Sequence, residues 1–232
     1  MVWYAWVLVA ISAIFFSMCC ALIVRAGYLN KILVKLGLME AKAKTNWTVF
    51  SWNNTMEKLD YQADIVVFGD SLIRGSDFRS FFKDKRIVNL GCSGDTLAGM
   101  IERVSMVKAM APRKVFFLGG INGLTNKNVN ACVSTYARLL DKLQNELPES
   151  EIYVHSLLPL SRKKEREICR NKTIEDLNKR IEALSKKKGM TYIDLYSLYL
   201  LDGEMNPILT KDGIHLLPEA YNIWASAIEK YI

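Results

Sequence analysis

The stretch Val66-Val67-Phe68-Gly69-Asp70-Ser71-Leu72-Ile73-Arg74-Gly75 decides how the chain is read. Three apolar residues run into Gly-Asp-Ser, and the chain then bends. A short apolar run closed by glycine reads as a buried strand, and in open α/β sheets chemistry collects at the carboxyl ends of such strands. A serine placed there is sited to act as a nucleophile. Serine is also a common cap of the helix that follows a strand, and this stretch by itself leaves the two uses level.

Working outward, strand and helix patterns alternate from Asp64 onward. Strands are predicted at 65–68, 87–90, 115–118, 152–157 and 192–195. Helices are predicted at 96–110, at 129–147 (Val133, Tyr136, Leu140 and Leu143 on one face) and at 173–188 (Ile174, Leu177, Ile181 and Leu184). A last helix starts at Pro218 and carries Tyr221, Trp224, Ile228 and Tyr231. This alternation predicts an α/β domain with a parallel five-stranded sheet covered on both faces.

The chain has 232 residues and a net charge of +7. With the N-terminus set aside, about 200 residues remain, one α/β domain with ample core. The positive charge is concentrated: residues 162–188 hold eleven Lys/Arg against five Asp/Glu, a net of +6. Such a run is ordinarily a solvated face; its functional versions are attraction to an anionic substrate or a membrane surface. No nucleic-acid motif accompanies it, so nucleic acid is not expected as a partner. The five cysteines (Cys19, Cys20, Cys92, Cys132, Cys169) form no CxxC pair and no Cys/His ligand spacing, so neither a disulfide framework nor a metal site is expected.

Residues 2–24 contain no charged side chain. Twenty-three helical residues reach about 35 Å, enough to cross a bilayer. Trp3, Tyr4 and Trp6 at one end, with Arg25 and Tyr28 at the other, look like interface anchors. A cleaved signal peptide would have a basic start, which is absent, so an uncleaved N-terminal transmembrane helix over 1–25 is expected. Arg25, Lys31 and Lys35 follow the span; the positive-inside rule then puts the large domain in the cytoplasm, but long domains override that bias and the side stays open. Residues 26–60 read as an amphipathic juxtamembrane segment (Leu29, Ile32, Leu33, Leu36) and a connector with Trp47, Phe50 and Trp52. The domain proper is expected over 61–232. Asn46, Asn53 and Asn171 open N-x-Thr or N-N-Thr triplets of the glycosylation type, which say little without the compartment.

A serine nucleophile needs a base, an acid to orient it and donors for the oxyanion. The chain has only two histidines. His155 falls inside a predicted strand and is expected to be packed there. His215 falls in the loop Lys211-Asp212-Gly213-Ile214-His215-Leu216-Leu217-Pro218, and Asp212, three residues earlier, can reach its Nδ1 in a turn. The same pair could equally be a capped helix start. Two more strand ends, Asn89-Leu90-Gly91-Cys92-Ser93-Gly94-Asp95-Thr96 and Gly119-Gly120-Ile121-Asn122-Gly123, offer backbone and side-chain donors, or ordinary βα turns. The G-x-G-x-x-G phosphate fingerprint is absent.

Together these four blocks resemble the SGNH (GDSL-type) hydrolase family. Gly69-Asp70-Ser71-Leu72 is similar to its first block, Gly91 within 89–94 to the second, Gly120-Ile121-Asn122 to the third and Asp212-Gly213-Ile214-His215 to the last. The resemblance covers about 64–232 and implies a flavodoxin-like three-layer α/β/α domain. It implies Ser71 as nucleophile, His215 as general base, Asp212 as its orienting acid, and an oxyanion hole of the Ser71 and Gly91 amides with the Asn122 side chain. It also implies a carboxylic ester hydrolase that needs no cofactor, acting on a small ester: a short-chain acyl (acetyl) ester of a glycan or lipid. The alternatives are a lysophospholipase or thioesterase on longer chains, or a non-catalytic tethered binding module. Two positions depart from the pattern: Gly123 stands where the family usually has Asp, and Ile73 where it usually has Thr.

Overall fold

The computed structural model describes residues 62–232 and, nearer the N-terminus, residues 3, 6, 7, 12, 13 and 16–18. Residues 1–41 and 42–232 make two separate compact units. In the first, the described residues are helical, and Trp3, Trp6, Phe16 and Met18 are exposed. Among the described residues no helix is long and apolar enough to cross a membrane. The predicted span 2–24 lies mostly outside them, and the segment 26–60 lies wholly outside them.

The second unit is built on β1 (Ile65–Gly69), β2 (Ile87–Gly91), β3 (Lys114–Leu118), β4 (Glu151–His155) and β5 (Thr191–Ile193). All pair in parallel, in the order β2-β1-β3-β4-β5. That is the flavodoxin-like order, with its topological switch between β1 and β3. Successive strand residues face opposite sides, so Val66 and Phe68 join one core while Ile65 and Val67 join the other.

On the first face pack α2 (Leu97–Glu102), α3 (Val104–Ala109), α4 (Val129–Glu146) and α6 (Asn171–Lys187). On the second lie α1 (Ser71–Arg74), α7 (Tyr196–Tyr199) and α8 (Tyr221–Ile228), whose Tyr221, Trp224 and Ile228 fill the core. The stripes expected on α4 and α6 face the core: Tyr136, Leu140, Leu143, Ile174, Leu177 and Ile181 are all buried.

Several elements differ from the sequence reading: the strand expected at 192–195 is β5, which ends at Ile193, and the one-turn helices α1 and α7 carry no sequence period. The helix expected at 96–110 is broken into α2 and α3 at Arg103 (φ −92, ψ 2), whose side chain turns inward to main-chain and side-chain acceptors. Arg162–Glu167 forms a short helix, α5, with no buried residue and hence no apolar period to reveal it. The strand expected at 152–157 ends at His155. Beyond it the Leu157 and Leu160 main chain is held by side chains of α6, Asn178 and Asn171, and not by a neighbouring strand.

Candidate active site

At the carboxyl end of β1 the capping question has a definite answer. Asp70, not Ser71, is the N-cap of α1, accepting from the Leu72 amide at 3.0 Å. This leaves the Ser71 hydroxyl available, and its Oγ lies 3.0 Å from Nε2 of His215. His215 Nδ1 in turn lies 2.8 Å from Asp212 Oδ2. Asp212 Oδ1 accepts from the His215 and Ile214 amides at 2.8 and 3.1 Å, so one carboxylate holds both the ring and the turn that carries it. Partial burial works against ionisation of Asp212, but these hydrogen bonds outweigh it and hold its carboxyl at about 2. It is an anion throughout the neutral range.

The loop around His215 is pinned by residues the sequence did not single out. Thr210 Oγ1 donates to the His215 carbonyl at 2.7 Å and accepts from the Gly213 amide at 2.9 Å. Gly213 sits at φ +89, where a Cβ would lie 2.1 Å from Ser161 Oγ, so the glycine is required both by its backbone and by the start of α5 beside it.

The donor side is built from the ends of β2 and β3. Asn122 is partly exposed, and its Nδ2 donates to the Asp95 carbonyl at 2.9 Å, which leaves a second N–H. The loop carrying Asp95 is itself anchored. Buried Arg103 binds the Asp95 carboxylate at 2.6 and 2.8 Å and donates to the Leu90 and Gly69 carbonyls at the ends of β2 and β1. Its guanidinium also lies 4.8 Å from the centre of the Phe68 ring. One side chain thus ties together three strand-end segments around Ser71.

Gly91 is placed differently from the expectation. Its amide donates to Asn89 Oδ1 at 2.8 Å, and a Cβ at Gly91 would lie 2.1 Å from the Arg74 nitrogen. The glycine lets β2 approach α1, and its N–H is already committed. Asn89 completes that junction by donating to the Ile73 and Ser76 carbonyls at 2.8 and 2.6 Å. Three residues on, Gly94 is exposed at φ +72, and among the described residues no acceptor takes its amide. Gly123, the departure from the family pattern, has φ +96, a conformation unfavourable to the Asp usual there.

His155 is fully buried against Phe116 and Trp224, ring centres 5.9 and 5.3 Å away, and burial holds its imidazole down at about 3. It is a neutral core residue, as its strand position suggested. Cys92, Cys132 and Cys169 are buried free thiols. Among the described residues no group of three or more His, Cys, Asp or Glu side chains is placed to hold a metal ion.

A nucleophilic hydroxyl, an imidazole, a carboxylate and oriented amides at the switch point of a 2-1-3-4-5 sheet define a serine hydrolase type of site. The chain belongs to the GDSL-like lipase/acylhydrolase family, whose model matches residues 67–223, and it is a carboxylic ester hydrolase. Among solved structures it is similar to a GDSL-like lipase from Bacteroides thetaiotaomicron, with TM-score 0.68 and 24% identity, covering 79% of this chain and 96% of that one. It is also similar to the acetyl xylan esterase AlAXEase, with TM-score 0.60 and 18% identity, covering 72% and 98%. A curated relative, the N-acylneuraminate cytidylyltransferase of Streptococcus agalactiae serotype V, is 25% identical over 172 residues, 74% of this chain. The match spans only 39% of that relative's length.

Proposed function

We propose that Ser71, His215 and Asp212 hydrolyse a carboxylic ester through an acyl-enzyme. The observation that carries this is the unbroken relay from Ser71 Oγ through His215 to Asp212, at 3.0 and 2.8 Å. Ser71 Oγ attacks the ester carbonyl as His215 Nε2 takes its proton. The tetrahedral intermediate collapses, the C–O bond to the alcohol breaks, and His215 returns the proton to the departing oxygen. Water, deprotonated by His215, then attacks the acyl-enzyme and releases the acid and Ser71. The oxyanion is received by the Ser71 amide and the free N–H of Asn122. Gly94 takes the third place first expected of Gly91, because the Gly91 amide is engaged by Asn89.

The substrate is a short-chain acyl ester, an acetyl group on a glycan in the first instance. The acetyl xylan esterase among the similar structures supports this reading of the acyl group. The apolar, uncharged segment 2–24 and the exposed Trp3, Trp6 and Phe16 support an N-terminal membrane anchor, with the hydrolase over 61–232.

A fluorophosphonate probe should label the wild type and not Ser71→Ala. p-Nitrophenyl esters should be cleaved fastest as the acetate, with the rate falling as the chain lengthens. Well-folded protein that neither labels nor cleaves any ester would leave the non-catalytic binding module as the better reading, and a maximum at long chains would favour the lipid esterase. Extraction of membranes at alkaline pH should leave the full chain in the pellet, and protease treatment of sealed vesicles then reports the side on which the domain lies.

A further inference from the structure

We propose that a cationic cleft beside the catalytic loops is a subsite for a carboxylate on the alcohol portion of the substrate, which makes the preferred substrate the acyl ester of an acidic sugar. The inference rests on the esterase reading above and adds the substrate class. The cleft, about 520 Å³, is lined by Asn126, Arg162, Glu165, Arg166 and Arg170. Its lining contains no apolar side chain. An acyl chain would gain little there, whereas a hydroxylated, charged group would find donors.

The arginines of the cleft are not equally engaged. Arg162 is held by Glu204 and the Asp202 carbonyl. Glu165 accepts from the Asn171 amide at 2.7 Å, which fixes its carboxylate at the start of α6. The guanidinium groups of Arg166 and Arg170 are exposed and, among the described residues, have neither an ion pair nor a hydrogen bond. A planar fork with unused N–H groups is the side-chain geometry that takes a carboxylate in two parallel hydrogen bonds. A second cleft shares Asn126 and Arg170 and brings Lys172 and Lys179 alongside, with Glu175 and Asp176 in the same lining.

The position of the cleft ties it to Ser71. One wall is Asn126, four residues beyond Asn122 on the same loop; Asn126 Oδ1 fixes that wall to the start of α6 by accepting from the Arg170 amide and the Thr173 hydroxyl, each at 2.8 Å. The other wall is α5, whose first turn abuts the base-bearing loop: the Ser161 amide donates to the Gly213 carbonyl at 3.0 Å. The cleft is thus framed by continuations of the loop that supplies an oxyanion donor and of the loop that supplies the base. A sugar whose acyl group sits at Ser71 extends between those loops toward Arg166 and Arg170.

The test uses the full chain and compares kcat/KM for p-nitrophenyl acetate, an O-acetylated methyl galactoside and the matching O-acetylated methyl galacturonide, which differ at one carboxylate. The expected result is a preference for the galacturonide of about tenfold, expressed mainly in KM, the size of one charge-assisted contact. The preference should fall to within about twofold in Arg166→Ala/Arg170→Ala, and also at about 0.5 M salt, where exposed charges are screened. Equal rates on the two sugars, or a preference that survives the double substitution, overturns the subsite. Faster cleavage of lysophosphatidylglycerol than of the galacturonide overturns the assignment to a sugar. Absence of activity on every ester, p-nitrophenyl acetate included, is the failure of the esterase reading; the subsite is then judged by calorimetric binding of unacetylated methyl galacturonide, expected for the parent chain and lost in the double variant, and its absence in both rejects it.

Discussion

Arg103 closes on the Asp95 carboxylate at 2.6 Å, in a place where neither side chain is more than 5% exposed. A buried pair of this kind adds little stability compared with a well-packed apolar pair, but removing one partner strands the other charge. Arg103→Leu should cost about 3–5 kcal/mol in urea unfolding. Asp95→Asn added to it should recover part of that stability. Esterase activity should stay low in both, because the loop that meets Asn122 and the ends of β1 and β2 have lost their common tie. A single variant as stable and active as the parent would show that the pair does not hold the site.

Asn122 can be tested at its own bond. Asn122→Ala removes a donor that, in the proposed mechanism, is stronger toward the oxyanion than toward the resting carbonyl. Its kcat should fall about 10²- to 10³-fold with KM little changed. Circular dichroism should be unaltered, since a partly exposed loop side chain is lost. A change confined to KM would assign Asn122 to substrate binding instead.

Asp212→Asn keeps a side chain that can accept from the His215 and Ile214 amides but replaces the carboxylate at Nδ1. The ring loses the anion that stabilises its protonated form and fixes its tautomer. A fall in kcat of up to about 10⁴-fold is expected. Fluorophosphonate labelling of Ser71 should slow in parallel.

Asp70 makes the fold pH-sensitive. It is fully buried, with one oxygen bonded to the Leu72 amide and the other without a partner. Burial pushes its carboxyl up from 3.8 to about 7, against the Leu72 hydrogen bond. Below the unfolded value both states hold the proton and nothing changes. Between about 4 and 7 the unfolded chain releases its proton while the native one keeps it, so stability falls as pH rises, by roughly 4 kcal/mol in total. Above that window both are ionised and the loss is complete. Asp70→Asn should therefore be more stable than the parent at pH 8 and no more stable at pH 4, by thermal or urea melts. Equal pH profiles for the two proteins would remove Asp70 as the cause.

The two glycines of the β2 end should part company. Gly91→Ala drives a Cβ into the Arg74 main chain and displaces α1, so stability and activity should fall together. At Gly94 a Cβ meets nothing within 4 Å, and Gly94→Ala carries only the positive-φ penalty of about 1–2 kcal/mol. Its effect on stability should be the smaller of the two, and any loss in kcat beyond it supports the Gly94 amide as oxyanion donor.

Much of the fold was legible in the chain itself, because its signals are local. Short apolar runs marked all five strands, glycine closing the first three of them, and the stripe periods of α4 and α6 marked the helices that cover them. The pairing of Asp212 with His215 was legible for the same reason: three residues in a turn cannot be far apart. Where the signal was not local, the sequence misled or was silent. Arg103 looks like any surface arginine of an amphipathic helix, and only the packed sheet brings it the carbonyls of Gly69 and Leu90 and the carboxylate of Asp95. Gly91 and Gly94 look alike as donors. Which amide is free depends on an Asn89 side chain that the strand geometry turns back onto Gly91. Ser71 could have been a cap until the side chain of Asp70 was seen to do the capping. The sequence determined which groups the protein has to work with and the order of strands and helices that carries them. Tertiary structure decided which of those groups meet, because a hydrogen bond requires a direction and a distance, and for residues as far apart as Ser71 and His215 these exist only once the sheet has formed.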